Sequence, residues 1–228
     1  MKSDFSTWGI QGLSKLNITG AIWYQGESNE QNVELHEVIL PILVESWRGT
    51  WNDNFPFYYV QLSSMAVGRK NWGHFRDSQR RLMYEIPNSG MVVSSDLGDN
   101  TDVHPRQKKQ IGERLARWAL NNTYGIKNIT PTGTLFHDFF VEDGTTWLSF
   151  EYAAGLKTSD GKPLSSFEVT EFPDLFYPAT AVIEGNVVKA QSAKVGNPKY
   201  VRYGWDSYSN GNLVNSVGLP ASTFSTQY

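Results

Sequence analysis

The stretch ITGAIWYQGESN, residues 18–29, decides how this chain is read. Its first seven residues form an apolar run of strand length, which reads as a buried strand over 18–24. Gln25, Gly26, Glu27, Ser28 and Asn29 follow directly, an abrupt switch to polar residues at the strand's carboxyl end. In open α/β sheets ligands bind beyond that end. Working outward, residues 32–47 carry apolar positions at helical spacing, with Pro41 as a break or a helix start. FYYVQL (57–62) reads as a second strand after the turn Asn52-Asp53-Asn54. Residues 74–85 read as a helix stopped by Pro87 and Asn88, and MVVSS (91–95) as a third strand. Residues 106–120 are strongly amphipathic, with Ile111, Leu115, Trp118 and Ala119 on one face. Strand and helix alternating through short links predict a parallel sheet covered on both faces.

Past Thr123 the pattern changes to short strands separated by turn residues. They fall at 134–140, 146–152, 167–169, 179–184, 187–191 and 200–204, with turns such as Glu142-Asp143-Gly144, Ser159-Asp160-Gly161 and Glu184-Gly185-Asn186. This predicts an α/β part over 1–124 and a β-sandwich-like module over 125–228. The last ~25 residues are expected to pack back on the first part.

Composition narrows the chemistry. With 228 residues the chain is long enough for one large domain or two small ones. Lys plus Arg total 20 against 23 Asp plus Glu, so no basic field exists for a phosphate backbone and nucleic acid is not an expected partner. The absence of Cys removes disulfides, thiolate metal sites and a cysteine nucleophile. The longest apolar run, 38–44, contains Pro41 and falls far short of the about 20 residues a bilayer span needs, so no membrane association is expected. No charged segment followed by an apolar one opens the chain, so no signal peptide is expected. The eight Trp suit either a core or flat platforms for sugar rings.

Two strand ends carry the chemistry. Besides 25–29, the segment DLGDNTDVH (96–104) follows the third strand. His104 sits there among Asp96, Asp99 and Asp102, and a neighbouring carboxylate can orient an imidazole and stabilise its protonated form, as a general base requires. A metal site is the other use of Asp and His, but no paired His accompanies it. The Gln25 amide can donate to a developing oxyanion, and Glu27 can brace its loop. Ser28 has two readings, a nucleophile paired with His104 or a helix cap.

The wider pattern resembles the sialate O-acetylesterase family, SGNH-like carbohydrate acetylesterases. The matching stretches are GAIWYQGESN (20–29), LPILVESWRGTW (40–51), FPFYYVQL (55–62), FRDSQRRL (75–82), GMVVSSDLGDNTDVHPRQKKQIGERLA (90–116), VRYGW (201–205) and GLPAS (218–222). The resemblance implies a three-layer SGNH/flavodoxin-like parallel sheet, N-terminally incomplete because only three strand patterns are present. It implies hydrolysis of acetyl esters on sialic acid or related sugars by Ser/His acyl transfer, without cofactor or metal. By resemblance Gln25 maps onto the oxyanion donor and His104 onto the catalytic base. The acid partner is open between Asp102, which is favoured, and Asp99, because Thr101 stands where a D-x-x-H pattern needs an acid; a backbone carbonyl orienting His104 is a further alternative. Asn29 and Asp99 are read with Glu27 as binding or loop-supporting residues. The family's nucleophile lies in a Gly-Gln-Ser-Asn block on its first strand, and no such block occurs in these 228 residues. The expectation is therefore a C-terminal portion, inactive alone, with a periplasmic or secreted setting in a bacterium. An exposed sheet edge is expected to pair with a second copy or with a chain supplying further strands. The alternatives are an esterase using Ser28 and a non-catalytic carbohydrate-binding protein.

Overall fold

The computed structural model describes residues 9–66, 70–173 and 175–228. The first part alternates β1 (Ala21–Trp23), α1 (Val33–Trp51), β2 (Phe57–Val60), α2 (Trp72–Glu85), β3 (Ser89–Val92) and α3 (Lys108–Trp118). The strands form one sheet in the order β1-β2-β3, all parallel, with Tyr59 between Trp23 and Met91. Strand alternation sorts the core into two layers. Phe57 and Tyr59 face Leu40 and Val44 of α1 and Leu82 of α2. Tyr58 and Val60 face Ile111, Leu115 and Trp118 of α3 on the other side. The result is the three-layer α/β arrangement that the alternation predicts.

Several boundaries differ from expectation. The first strand is three residues long rather than seven, with Ile22 71% exposed, because among the described residues β1 is the sheet's outer member and β2 pairs with only one side of it. Pro41 neither breaks nor starts a helix: it lies inside α1, which runs on to Trp51. Its missing N–H forfeits one intrahelical bond, but Leu40 and Val44 on either side bury into the same layer and hold the helix through it. Asn52 then closes α1 in the left-handed conformation (φ 49°), its N–H reaching Arg48 O and Gly49 O. The last helix begins at Lys108, two residues late, since the chain around the buried Pro105 stays in a loop.

The second part holds β4 (Leu135–Glu142), β5 (Thr145–Glu151), β6 (Lys157–Thr158), β7 (Phe167–Thr170), β8 (Tyr177–Pro178), β9 (Thr180–Glu184), β10 (Val187–Gln191), β11 (Tyr200–Tyr203), β12 (Leu213–Val214) and β13 (Phe224–Ser225). Two antiparallel sheets, β4-β5-β10-β9 and β13-β11-β7-β8, close over one core, and β12 pairs with β6. Leu148, Val188 and Ala190 enter that core from the first sheet, and Phe167, Val169, Val201 and Phe224 from the second. Phe136 stacks on Phe224 with centroids 4.5 Å apart, pinning sheet to sheet. The turn between β4 and β5 places Asp143 (φ 49°) and Gly144 (φ 72°) both in left-handed backbone, the geometry that favours an Asp-Gly pair in a tight hairpin.

The two parts meet along α2. Arg76 is fully buried, and its Nη2 donates to the carbonyls of Gly204 (2.6 Å) and Asp206. Gln61 Nε2 donates to Ser222 Oγ (2.9 Å), and Met65 N–H to Ser207 O (2.9 Å). A Cβ on Gly73 would lie 2.2 Å from Trp205 O, so only glycine lets α2 approach so closely. We expect Arg76→Ala to lower unfolding free energy by about 3 kcal/mol through the cavity and the stranded carbonyls. Urea denaturation checks this. Arg76→Lys should not restore it, because one ammonium cannot reproduce the planar fork.

Candidate functional site

Beyond the carboxyl ends of the strands, a hydrogen-bonded floor ties all three together. Tyr24 Oη lies 2.9 Å from Ser63 Oγ, Ser63 Oγ lies 2.8 Å from Ser94 Oγ, and Ser94 Oγ donates to Gln61 O at 2.7 Å. Burial is the main cause that raises the Tyr24 pKa above its ordinary value. This phenol therefore stays protonated and serves as a neutral hydrogen-bonding group.

One edge of the floor carries the loop after β1. Gly26 adopts φ +147°, and a Cβ there would lie 2.5 Å from the Phe75 ring, so the position tolerates only glycine. Asn29 N–H donates to Gly26 O (2.8 Å) and Asn32 N–H to Asn29 O (2.9 Å), which turns the chain into α1. Gln25 Nε2 donates to Asn29 Oδ1, fixing which way the amide points and leaving its second N–H available. Helix α1 is capped by Asn32, whose Oδ1 accepts Leu35 N–H at 3.0 Å. Ser28 is thus not the cap; it is exposed in the turn.

The other edge carries the loop after β3. Arg114 of α3 clasps Asp96 with two bonds of 2.6 Å and also donates to Val93 O, fastening the loop's start. Gly98 lies hard against Ser64, whose carbonyl oxygen would be 2.0 Å from an added Cβ. Asp99 Oδ1 then accepts Thr101 N–H (2.8 Å), Thr101 Oγ1–H (3.0 Å) and Asp102 N–H (3.2 Å), and these bonds hold its carboxyl below the usual range. Asp102 Oδ1 accepts His104 N–H at 2.8 Å and sits 3.3 Å from His104 Nδ1. The imidazole itself is 81% exposed.

The fold therefore gathers Gln25 with Asn29, and Asp102 with Asp99 and His104, at one end of the sheet. Tyr24 and Val103, each next to one of these groups, pack on the same cluster containing Trp72 and Phe75, and Lys108 Nζ sits 4.5 Å over the Tyr24 ring. Among the described residues no hydrogen bond joins His104 to Gln25 or to Ser28. Glu27 borders the first loop, where its charge acts on Tyr24. Asp96, read as one of several acids near His104, is engaged by Arg114 instead. Among the described residues no three His, Asp or Glu side chains are grouped to hold a metal ion, and no helix is long and apolar enough to cross a membrane. The Tyr24–Ser63–Ser94 floor and the clasp by Arg114 have no counterpart among the residues singled out from sequence. The floor's only local signal is Ser63 directly after the second strand pattern and Ser94 near the end of the third.

His36 is a further buried group. Its ring lies tilted against that of Phe75 with centroids 4.5 Å apart, the ring that also supports Gly26, and burial pushes its pKa down to about 4. Above about pH 6.5 it is neutral in both folded and unfolded chains. As pH falls from 6.5 towards 4 the unfolded chain gains the proton first, so folding stability is lost by up to about 3 kcal/mol. We expect His36→Phe to flatten this acid limb, measured by urea denaturation at pH 7, 5.5 and 4.5.

Comparisons with known proteins bear on this geometry. Residues 9–121 match the carbohydrate esterase family described as sialic acid-specific acetylesterase. The sialate O-acetylesterase of Mus musculus is 28% identical across 87% of this chain and 41% of its own length. That of Homo sapiens is 28% identical across 94% of this chain and 47% of its own. The crystal structure of a carbohydrate acetylesterase from Xanthomonas citri superposes with a TM-score of 0.89 at 32% identity, covering 94% of this chain and 52% of that one. The chain thus spans about half the length of the relatives it matches.

Proposed function

Since residues 9–121 belong to the sialic acid-specific acetylesterase family of carbohydrate esterases, we propose that this chain supplies the base and oxyanion-donor half of a serine O-acetylesterase acting on acetylated sugars, sialic acid or a related one. The observation that carries the reading is the Asp102–His104 pair at the end of β3, inside the family-matched segment. The nucleophilic serine comes from outside these 228 residues, which contain no Gly-Gln-Ser-Asn block.

In this reading the serine attacks the acetyl carbonyl while His104 Nε2 takes its proton, and Asp102 beside Nδ1 fixes the tautomer and stabilises the imidazolium. The free N–H of the Gln25 amide, held by Asn29, donates to the tetrahedral oxyanion. His104 then returns the proton to the departing sugar oxygen, and a water repeats the sequence to release acetate. Glu27 and Asp99 support the two loops. The segment bearing the serine docks at the outer edge of β1, where Ile22 is exposed, and on α1, which presents Leu35, Val38 and Ile42 to solvent at helical spacing.

The chain alone is expected to hydrolyse p-nitrophenyl acetate no faster than its His104→Ala variant. A rate that depends on both His104 and Ser28 would instead assign the nucleophile to Ser28. In a polypeptide that includes the serine, Gln25→Ala should lower kcat by about 10²–10³, and Ser28→Ala should leave it unchanged. Light scattering should show the isolated chain paired with a second copy through β1; a monomer at all concentrations would count against docking at that edge.

A further inference from the structure

The segment that carries His104 runs from the end of β3 to the start of α3, and both of its ends meet the side chain of Tyr24, the residue directly before Gln25. Near its start stands Ser94. Gln61 O can only accept, so the Ser94 hydroxyl proton is committed there at 2.7 Å. Ser63 Oγ–H then donates to Ser94 Oγ (2.8 Å), and Tyr24 Oη–H to Ser63 Oγ (2.9 Å). This gives the floor a single direction and pins the phenol at its tip. At the segment's far end stands Lys108, with Nζ 4.5 Å from the centre of the Tyr24 ring. Val103, beside His104, packs with Tyr24 on the cluster containing Trp72 and Phe75.

The placement of Lys108 is not explained by its own helix. A cation in the first turn opposes the helix dipole, and that turn, KKQI, contains no acid. Lys109 beside it pairs with Glu113 one turn on, at 3.7 Å. Breaches of a local rule concentrate at functional sites, and what the Lys108 ammonium gains here is the face of Tyr24. Tyr24 in turn packs on two clusters, that of Leu62, Trp72 and Phe75 and that of Ile111, Leu115 and Trp118. The ring of Phe75 also bears Gly26, so the phenol and the Gln25 loop rest on the same cluster.

We propose that Tyr24 is a positioning residue that sets the Gln25 amide at a fixed place relative to His104, with Lys108 and the serine hydroxyls holding it from the side of the base. The inference rests on the reading that Gln25 and His104 serve one reaction. Tyr24 acts through its neighbours rather than on the reacting atoms. Its main chain continues directly into Gln25, so a tilt of the ring moves the amide. Lys108 lies four residues past His104 with the buried Pro105 between them, so the same tilt is felt by the base loop. A donor and a base that act on one tetrahedral centre tolerate little relative displacement.

Nuclear magnetic resonance on the nitrogen-15-labelled 228-residue chain tests the coupling without turnover. The side-chain amide cross-peak of Gln25, identified by its loss in Gln25→Ala, should shift in Lys108→Met and return in Lys108→Arg. Lys108→Met should still move it in a Tyr24→Phe background, which keeps the ring, and should move it no further in Tyr24→Leu. Lys108 is exposed, so its variants should keep the parent's urea midpoint. In a polypeptide that includes the serine, Lys108→Met should lower kcat for p-nitrophenyl acetate about twofold to fivefold, the size of an exposed cation–π contact. KM should stay unchanged, and Lys108→Arg should restore the rate. A Gln25 cross-peak unmoved by Lys108→Met, a shift that persists in full in Tyr24→Leu as a direct effect of charge, or an unchanged kcat would each overturn the proposal. Hydrolysis of no acetyl ester with the serine in place would overturn the esterase reading instead, and the Gln25 shifts would still decide whether Tyr24 couples the two loops.

Discussion

Much of the carboxyl end of the sheet depends on polar side chains buried along α2. Gln79 is the clearest case: its Oε1 accepts Leu62 N–H at 2.8 Å while its Nε2 donates to Val60 O at 3.1 Å. A helix side chain thereby satisfies the strand's backbone just past β2, where a buried unpaired group would cost about 1–3 kcal/mol. One turn earlier, Phe75 supports Gly26, and Arg76 reaches the carbonyls of the β-sandwich part. The same helix sets the height of the Gln25 loop, the course of β2 beyond its last paired residue, and the seat of the second part.

The alternation of strand and helix was legible because apolar periodicity reports which face of an element is buried. That logic fails for α2. FRDSQRRL is polar at six of its eight positions, yet Arg76, Asp77, Ser78, Gln79 and Arg80 are all buried. Asp77 and Arg80 pair with each other and Ser78 bonds Phe75 O within the helix, but Gln79 reaches the backbone around β2 and Arg76 the carbonyl of Gly204, and no local pattern encodes a bond from residue 76 to residue 204. The two-residue strands β6, β8, β12 and β13 were missed for a related reason: pairs of residues have no period, and their pairing is a property of the assembled sandwich. Pro41 inside α1 shows tertiary packing overriding a local rule.

At the site the division is similar. His104 and Asp102 stand two residues apart, so their contact is visible in sequence once acids are seen to cluster around the only His of that loop. Gln25 and Asn29 are likewise local. The Tyr24–Ser63–Ser94 floor joins residues 39 and 31 positions apart and becomes visible only when the strands are aligned in register.

These two halves of the site differ in how they are held. Around Gln25 the chain is fixed by packing: Gly26 has no room to move off the Phe75 ring, and Asn29 holds the amide. Oxyanion stabilisation requires such rigidity, because a donor that must reorganise during the reaction forfeits its advantage. The His104 loop is held instead by a relay of side-chain to backbone bonds, Asp99 to Thr101 and Asp102, then Asp102 to His104, on an exposed stretch. In the proposed role of general base, a histidine held in that way can adjust by small rotations. It acts with full electrostatic effect only when water is excluded around it. Under the proposed function, a partner segment covering His104 would supply that exclusion and the nucleophile in a single docking event, and the exposure of the imidazole and of Ile22 on β1 would be two consequences of one arrangement.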